Sequence, residues 1–320
     1  MVLGVEEMAL VSPLGLTPSE HVFFRRAEVS PHASGAFTNE DGEAFPIHDC
    51  SWIPAVRPWA SRVRLLARQA LSHVAPSSPS APILLVAPVE AAAGDADLPR
   101  FLSLGGRAVA AVRTGSAAYL AALAEAEGLL SREPEVVVLA VDSLLSRERV
   151  EAWAEARYSG FTRNPLPPSE GAAAVRLVSP KRSPLAGKVL SIAYGKSAAT
   201  DHNDLAADGV ALTRAFGEIG IPPKVPLVVG PRDEDPLRTR DFHIAAARHR
   251  DRIDGAEMPS LEGSLGRLGS AGGLMSLVFA LAWLRHDLPL PAAQGKGLAV
   301  AWARSEDGTT GAALVGGEAS

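Results

Sequence analysis

The chain has 320 residues, 47% of them apolar and 21% charged, a globular balance that excludes a disordered or fibrous protein and supports a sizeable core. Its 31 basic and 36 acidic side chains leave a net charge of −5, so neither nucleic acid nor an anionic membrane is an expected partner. A single cysteine, Cys50, excludes an intramolecular disulfide and a cysteine zinc cluster, and no cofactor is expected.

Glu6 and Glu7 stand where an export signal carries basic residues, so no signal peptide is predicted. Residues 3–11 read as a strand ending at Ser12-Pro13. Over 61–74, Val63, Leu66, Ala67, Ala70, Leu71 and Val74 recur at helical spacing, with Arg62, Arg64 and Arg68 between them. Strands are predicted at 83–87 and 108–112, a helix over 116–130, a strand in EVVVLA at 135–140, a helix over 148–157 and a strand at 172–177. The second half repeats the pattern: strand 189–194, helix 208–217, strand 225–229, a helix through 242–250, and an apolar helix over 273–285. The core of that last helix, 274–284, is too short to span a bilayer, and a cytoplasmic protein is expected. Two strands, 298–303 and 311–315, close the chain around Asp307-Gly308. Alternating elements predict an α/β fold. The segment 179–188 divides it into halves, 1–178 and 179–320, whose shared order suggests duplication.

Five segments carry more than periodicity: VSPLG at 11–15, TGSAAYLAAL at 114–123 with VVVLAVDS at 136–143, SEGAAAVRL at 169–177, GRLGSAGG at 266–273 before an apolar helix and LPLP, and the terminal 298–315. In order and spacing they resemble the opening turn, the nucleophile elbow, the glutamate-glycine-alanine strand, the second-histidine segment and the closing hairpin of β-ketoacyl synthases. The resemblance implies a thiolase-like, five-layered α/β/α/β/α architecture, with two pseudo-duplicated halves forming one structural unit. It also implies pairing through the apolar edge at 108–112, as a homodimer or as a heterodimer with a ketosynthase-like subunit. Left open, such an edge invites aggregation.

At the positions matching the family's reactive groups, the nucleophile falls on Ser116, the first histidine on Pro231, the lysine on Glu262 and the second histidine on Arg267. The glycine-phenylalanine-glycine-glycine turn is replaced by SEDGT at 305–309. Decarboxylative condensation needs an ionised nucleophile and neutral imidazoles. Proline donates nothing from its side chain, arginine stays charged, and a serine without a base is a poor nucleophile. A pseudoenzyme without condensing activity is therefore expected. Ser116, Pro231 and Arg267 should line a remnant pocket where the halves meet, with Arg267 paired to Glu262 or to an acid at 233–235.

Several residues admit two readings. Ser116 suits either a helix cap or a nucleophile, and the cap is preferred. His202, between Asp201 and Asp204, reads as a solvated turn rather than a base or ligand. His243 and His249 are not on adjacent turns of one helical face, which disfavours a shared metal. The run RDEDPLRTRD at 232–241 reads as a solvated loop or a docking surface, and Gly266, Gly269, Gly272 and Gly273 as close packing before a helix. Three functions compete. One is binding, as a chain-length-factor-like partner subunit or as an adaptor, with type VI secretion effector modules one setting. Another is an acyltransferase or hydrolase using Ser116 on an acyl thioester. A third is a structural subunit. Acyl carrier protein or a secretion effector are the further partners these readings imply.

Overall fold

The computed structural model describes every residue except 1, 39–41, 43, 55–56, 75–77, 79, 95, 159–165, 198–207, 232–235, 286–296 and 318–320. In chain order the N-terminal elements are β1 (Leu3–Val11), α1 (Pro18–Arg26), β2 (Ser34–Thr38), β3 (Ala44–Ile47), α2 (Trp59–His73), β4 (Ile83–Val86), α3 (Val89–Ala93), α4 (Leu98–Leu104), β5 (Val109–Arg113), α5 (Ala118–Leu129), β6 (Glu135–Ser143), α6 (Arg147–Tyr158) and β7 (Glu170–Val178). The C-terminal elements are β8 (Gly187–Lys196), α7 (Val210–Glu218), β9 (Leu227–Val229), α8 (Pro236–Arg248), α9 (Arg250–Ile253), α10 (Leu261–Leu265), α11 (Gly272–Arg285), β10 (Leu298–Arg304) and β11 (Thr309–Gly316).

Nine strands form one mixed sheet in the order β5-β4-β6-β7-β1-β8-β11-β10-β9. The duplication is visible in this order. Outward from β1 the pairings are antiparallel to β7, antiparallel to β6, parallel to β4 and parallel to β5. Outward from β8 they are antiparallel to β11, antiparallel to β10 and parallel to β9. A lone parallel bridge from Leu227 to Glu257 stands where the second half would carry its counterpart of β5. The halves join through β1 and β8, paired at Leu3↔Val189, Gly4↔Lys188 and Val5↔Gly187, so hydrogen bonding runs without a break from one half-sheet to the other.

Alternate side chains of each strand fall into different cores, and this defines five layers. On β6, Val136, Val138 and Ala140 face inward onto α5 and α11, while Val137, Leu139 and Val141 face outward onto α2. On β10, Ala299, Ala301 and Ala303 join the same central core, while Val300 and Trp302 face α7 and α8. Burial on both faces explains why residues 136–141 of β6 are an unbroken apolar run and why all nine residues of the strand are buried. On β1 the inward set changes from Leu3 and Val5 to Leu10, because a register shift between Val5 and Glu7 swaps the faces. α5 and α11 are buried between the two half-sheets, so their sequences are apolar on nearly every side.

Candidate functional site

A cavity of about 520 Å³ opens at the ends of β4, β5 and β6, the edge of a parallel sheet where α/β proteins commonly bind ligands. The first half lines it with Glu90, Ser116, Asp142, Arg149 and Trp153, and the second half with Arg238, Arg267, Gly269, Ser270 and Ser305. The junction therefore brings together two of the four positions singled out by sequence, Ser116 and Arg267. Glu262 is buried on α10 and pairs with cavity-lining Arg238 at 3.3 Å. Pro231 is buried directly after β9 and is not in the lining, unlike the expectation from sequence.

Ser116 precedes α5 and is 5% exposed, and its hydroxyl has no hydrogen-bond partner among the described residues. It does not cap the helix. That role falls to Ser305, whose Oγ accepts the Ala117 N–H at 2.8 Å from the opposite half. The chain can turn sharply here because Gly115 has φ +93, and a side chain at Gly115 would strike Ser305 Oγ. From the other side α11 comes so close that a Cβ at Gly273 would lie 2.0 Å from the Ser116 carbonyl oxygen. The glycine-rich 266–273 segment thus packs against the nucleophile-like turn rather than around a phosphate.

The expected pairing of Arg267 with Glu262 needs correction. Its guanidinium reaches Glu306 at 3.5 Å, not Glu262, which is taken by Arg238 and by the Leu268 N–H. The acids at 233–235 and His202 lie outside the described residues. Glu306 is exposed, so this pair is weak. The run at 232–241 is also not a solvated loop where it is described. From Pro236 it is helix α8, and Asp241 is buried against Arg304 at 2.7 Å while also accepting the Gly209 N–H. His249, between α8 and α9, donates from Nε2 to the Thr213 carbonyl at 2.9 Å and packs edge-on against Phe216, tying that junction to α7.

Asp142, at the end of β6, was missed as a site residue. Burial pushes its carboxyl up, against the Arg149 guanidinium and the Ser270 and Ser143 N–H groups that favour its charged form. Arg149 meets it at 2.9 Å and the Ser270 N–H reaches its other oxygen at 2.8 Å, so Asp142 binds the two halves together across the cavity. Gly269, at φ +55, leaves room for this carboxylate, since a Cβ there would lie 2.2 Å from Oδ2. An aspartate directly after the apolar run 136–141 was the signal available in the sequence.

No protein-family model matches the sequence, and no curated protein matches it. Solved structures do. The ishigamide ketosynthase/chain length factor superposes with a TM-score of 0.75 at 16% identity, covering 99% of both chains. The AntDE:AntF complex, a type II PKS acyl-carrier protein with its ketosynthase bound to the hexaketide, gives 0.77 at 14% identity over 98% of this chain and 99% of that one. The module 6 ketosynthase of the bacillaene synthase from Bacillus subtilis 168 gives 0.71 at 14% identity, over 100% of this chain and 72% of that one. The chain has the ketosynthase-like thiolase fold. At these identities the likeness establishes architecture, and the chemistry of the cavity has to be read from its own residues. Among the described residues, no helix is long and apolar enough to cross a membrane.

Proposed function

We propose that this chain is a non-condensing ketosynthase-like protein that acts by binding, as the partner subunit of a ketosynthase-like protein. The cavity lining carries this reading: its described residues include no histidine, cysteine or lysine. Its basic groups are three arginines, Arg149, Arg238 and Arg267, and a guanidinium is not a proton shuttle. Ser116 has a free hydroxyl but no imidazole beside it to take its proton. The edge strand β5 supports pairing: among the described residues it bonds only to β4, and Ala110 and Val112 on it are exposed. Solved proteins of similar fold include ketosynthase/chain length factors and a ketosynthase complexed with an acyl-carrier protein, so a ketosynthase-like subunit is the first partner to test and an acyl carrier protein the second. An adaptor in a type VI secretion effector module, or a homodimer, would rest on the same lining and differ only in the partner. The reading takes 1–178 and 179–320 as two halves of one unit, working in the cytoplasm.

The test is affinity purification of wild type and Ser116→Ala from the native host, with mass spectrometry. Recovery of one ketosynthase-like subunit in stoichiometric amount by both proteins supports the reading. Loss of function in Ser116→Ala, together with an acyl adduct on Ser116 of the wild type, overturns it in favour of a serine acyltransferase or hydrolase.

A further inference from the structure

Taking the cavity as a site without covalent acyl chemistry, as above, we propose that it binds a small monocarboxylic acid, with the carboxylate held by Arg267 and the Ser116 hydroxyl. Two of the three lining arginines are committed to buried acids. Arg149 meets Asp142 and Glu90, each at 2.9 Å, and Arg238 is buried against Glu262. Arg267 differs. Its side chain is 30% exposed, and its guanidinium has one partner among the described residues, Glu306, at 3.5 Å. The Glu306 side chain is 83% exposed, so an incoming carboxylate displaces it into water at little cost. A guanidinium carries five N–H donors in a planar fork that matches the two oxygens of a carboxylate, and this one contact leaves most of the fork open.

Ser116 supplies the second contact. It lines the cavity and is buried, yet its hydroxyl has no partner among the described residues, which leaves a donor for whatever fills the cavity. It stands at the N-terminal end of the twelve-residue α5, where the helix dipole favours negative charge. The closing turn brings the two groups to one corner: Ser305 Oγ accepts the Ala117 N–H at 2.8 Å beside Ser116, and the next residue is the Glu306 that meets Arg267. The other acids of the lining are already answered. Asp142 and Glu90 share Arg149, and Asp307 accepts the Thr309 N–H and hydroxyl at 3.0 and 2.9 Å and faces Lys196 at 3.5 Å. One arginine without a buried partner matches one negative charge, which favours a carboxylate over a phosphate dianion. Pro88, Leu144, Trp153 and Pro168 in the same lining give the rest of the ligand an apolar wall.

Isothermal titration calorimetry of the full chain with hexanoate and 3-phenylpropanoate, each beside its uncharged amide, tests this. At least one acid should bind, and its amide should bind at least about tenfold more weakly. Arg267→Gln should weaken the acid at least about tenfold, and Ser116→Ala about threefold. Glu306→Gln changes an exposed side chain and removes the competing carboxylate, so it should tighten the acid about threefold. Binding of neither acid by the wild type, equal affinity for acid and amide, or an affinity that neither Arg267→Gln nor Glu306→Gln alters would overturn the proposal. A carboxylate is not an acyl donor, so these failures leave the non-condensing reading standing. That reading fails instead on an acyl adduct at Ser116 formed from a thioester.

Discussion

Replacing Arg62 by methionine strands a carboxylate inside the protein. Arg62 and Glu170 are 2% and 0% exposed, and the guanidinium grips both carboxylate oxygens, through Nε at 2.9 Å and Nη2 at 2.5 Å. The same carboxylate accepts the Cys50 N–H at 2.8 Å and the Ser143 hydroxyl at 3.0 Å. Breaking a buried pair from one side costs about 3–5 kcal/mol, because the remaining charge is neither solvated nor paired. Two neutral donors stay on Glu170, which places Arg62→Met near the lower end, about 3 kcal/mol. Methionine fills much of the vacated volume, so little of this is a cavity cost. Adding Glu170→Gln removes the stranded charge and should recover at least about 1 kcal/mol. Urea unfolding followed by circular dichroism measures all three proteins. An Arg62→Met cost below about 1 kcal/mol, or a double variant no more stable than the single one, would refute the premise that Glu170 is a buried charge dependent on Arg62.

Gly269→Ala should cost about 2–3 kcal/mol, since φ +55 disfavours a side chain and the new Cβ would collide with the Asp142 carboxylate; a change under about 0.5 kcal/mol in the unfolding free energy would show that the turn does not need glycine. His21 is buried and neutral: its Nδ1–H can only donate to the Thr17 carbonyl, at 2.7 Å, which leaves Nε2 to accept the Ser12 hydroxyl at 2.7 Å. Desolvation lowers its pKa from 6.5 to about 4, so in that window the unfolded chain binds the extra proton. Stability from this group is full above pH 6.5 and falls as pH drops toward 4, by about 3 kcal/mol in all; a His21→Asn variant with the same pH profile as wild type would contradict this. Val112→Lys places a charge on the open edge of β5 and should abolish pairing through it without unfolding the chain, as read by light scattering beside circular dichroism; an assembly of unchanged mass in the variant would move the interface elsewhere.

The layered body was legible because its strands and central helices are buried on two sides, and burial on two sides writes itself as uninterrupted apolar sequence. β1 was expected at 3–11 and is Leu3–Val11, and the EVVVLA run lies in β6. The β2–β3 hairpin was missed because it packs on a satellite cluster and shows no such run. α1 was passed over although its start is marked locally: Thr17 and Glu20 form a reciprocal capping box, with Pro18 in the first turn. Pairs formed across the fold leave no local mark. Arg62 looked like a polar residue between apolar helical positions, yet its partner is Glu170. Ser116 looked like a cap, yet the cap is Ser305, from the turn that closes the chain. Ser116 and Arg267, singled out from the sequence, both line the cavity, one from each half. The sequence did not reveal that Asp142, Arg149 and Arg238 fill the space with ion pairs, because those pairings depend on which side chains face each other across the junction.

The central claim is that the cavity around Ser116 has lost covalent acyl chemistry. Intact-mass spectrometry of the full chain after incubation with acyl-coenzyme A thioesters of several lengths tests it most directly. The account predicts an unmodified mass, the same for wild type and Ser116→Ala. A stoichiometric acyl adduct on wild type, absent from Ser116→Ala and mapping to Ser116, would contradict it.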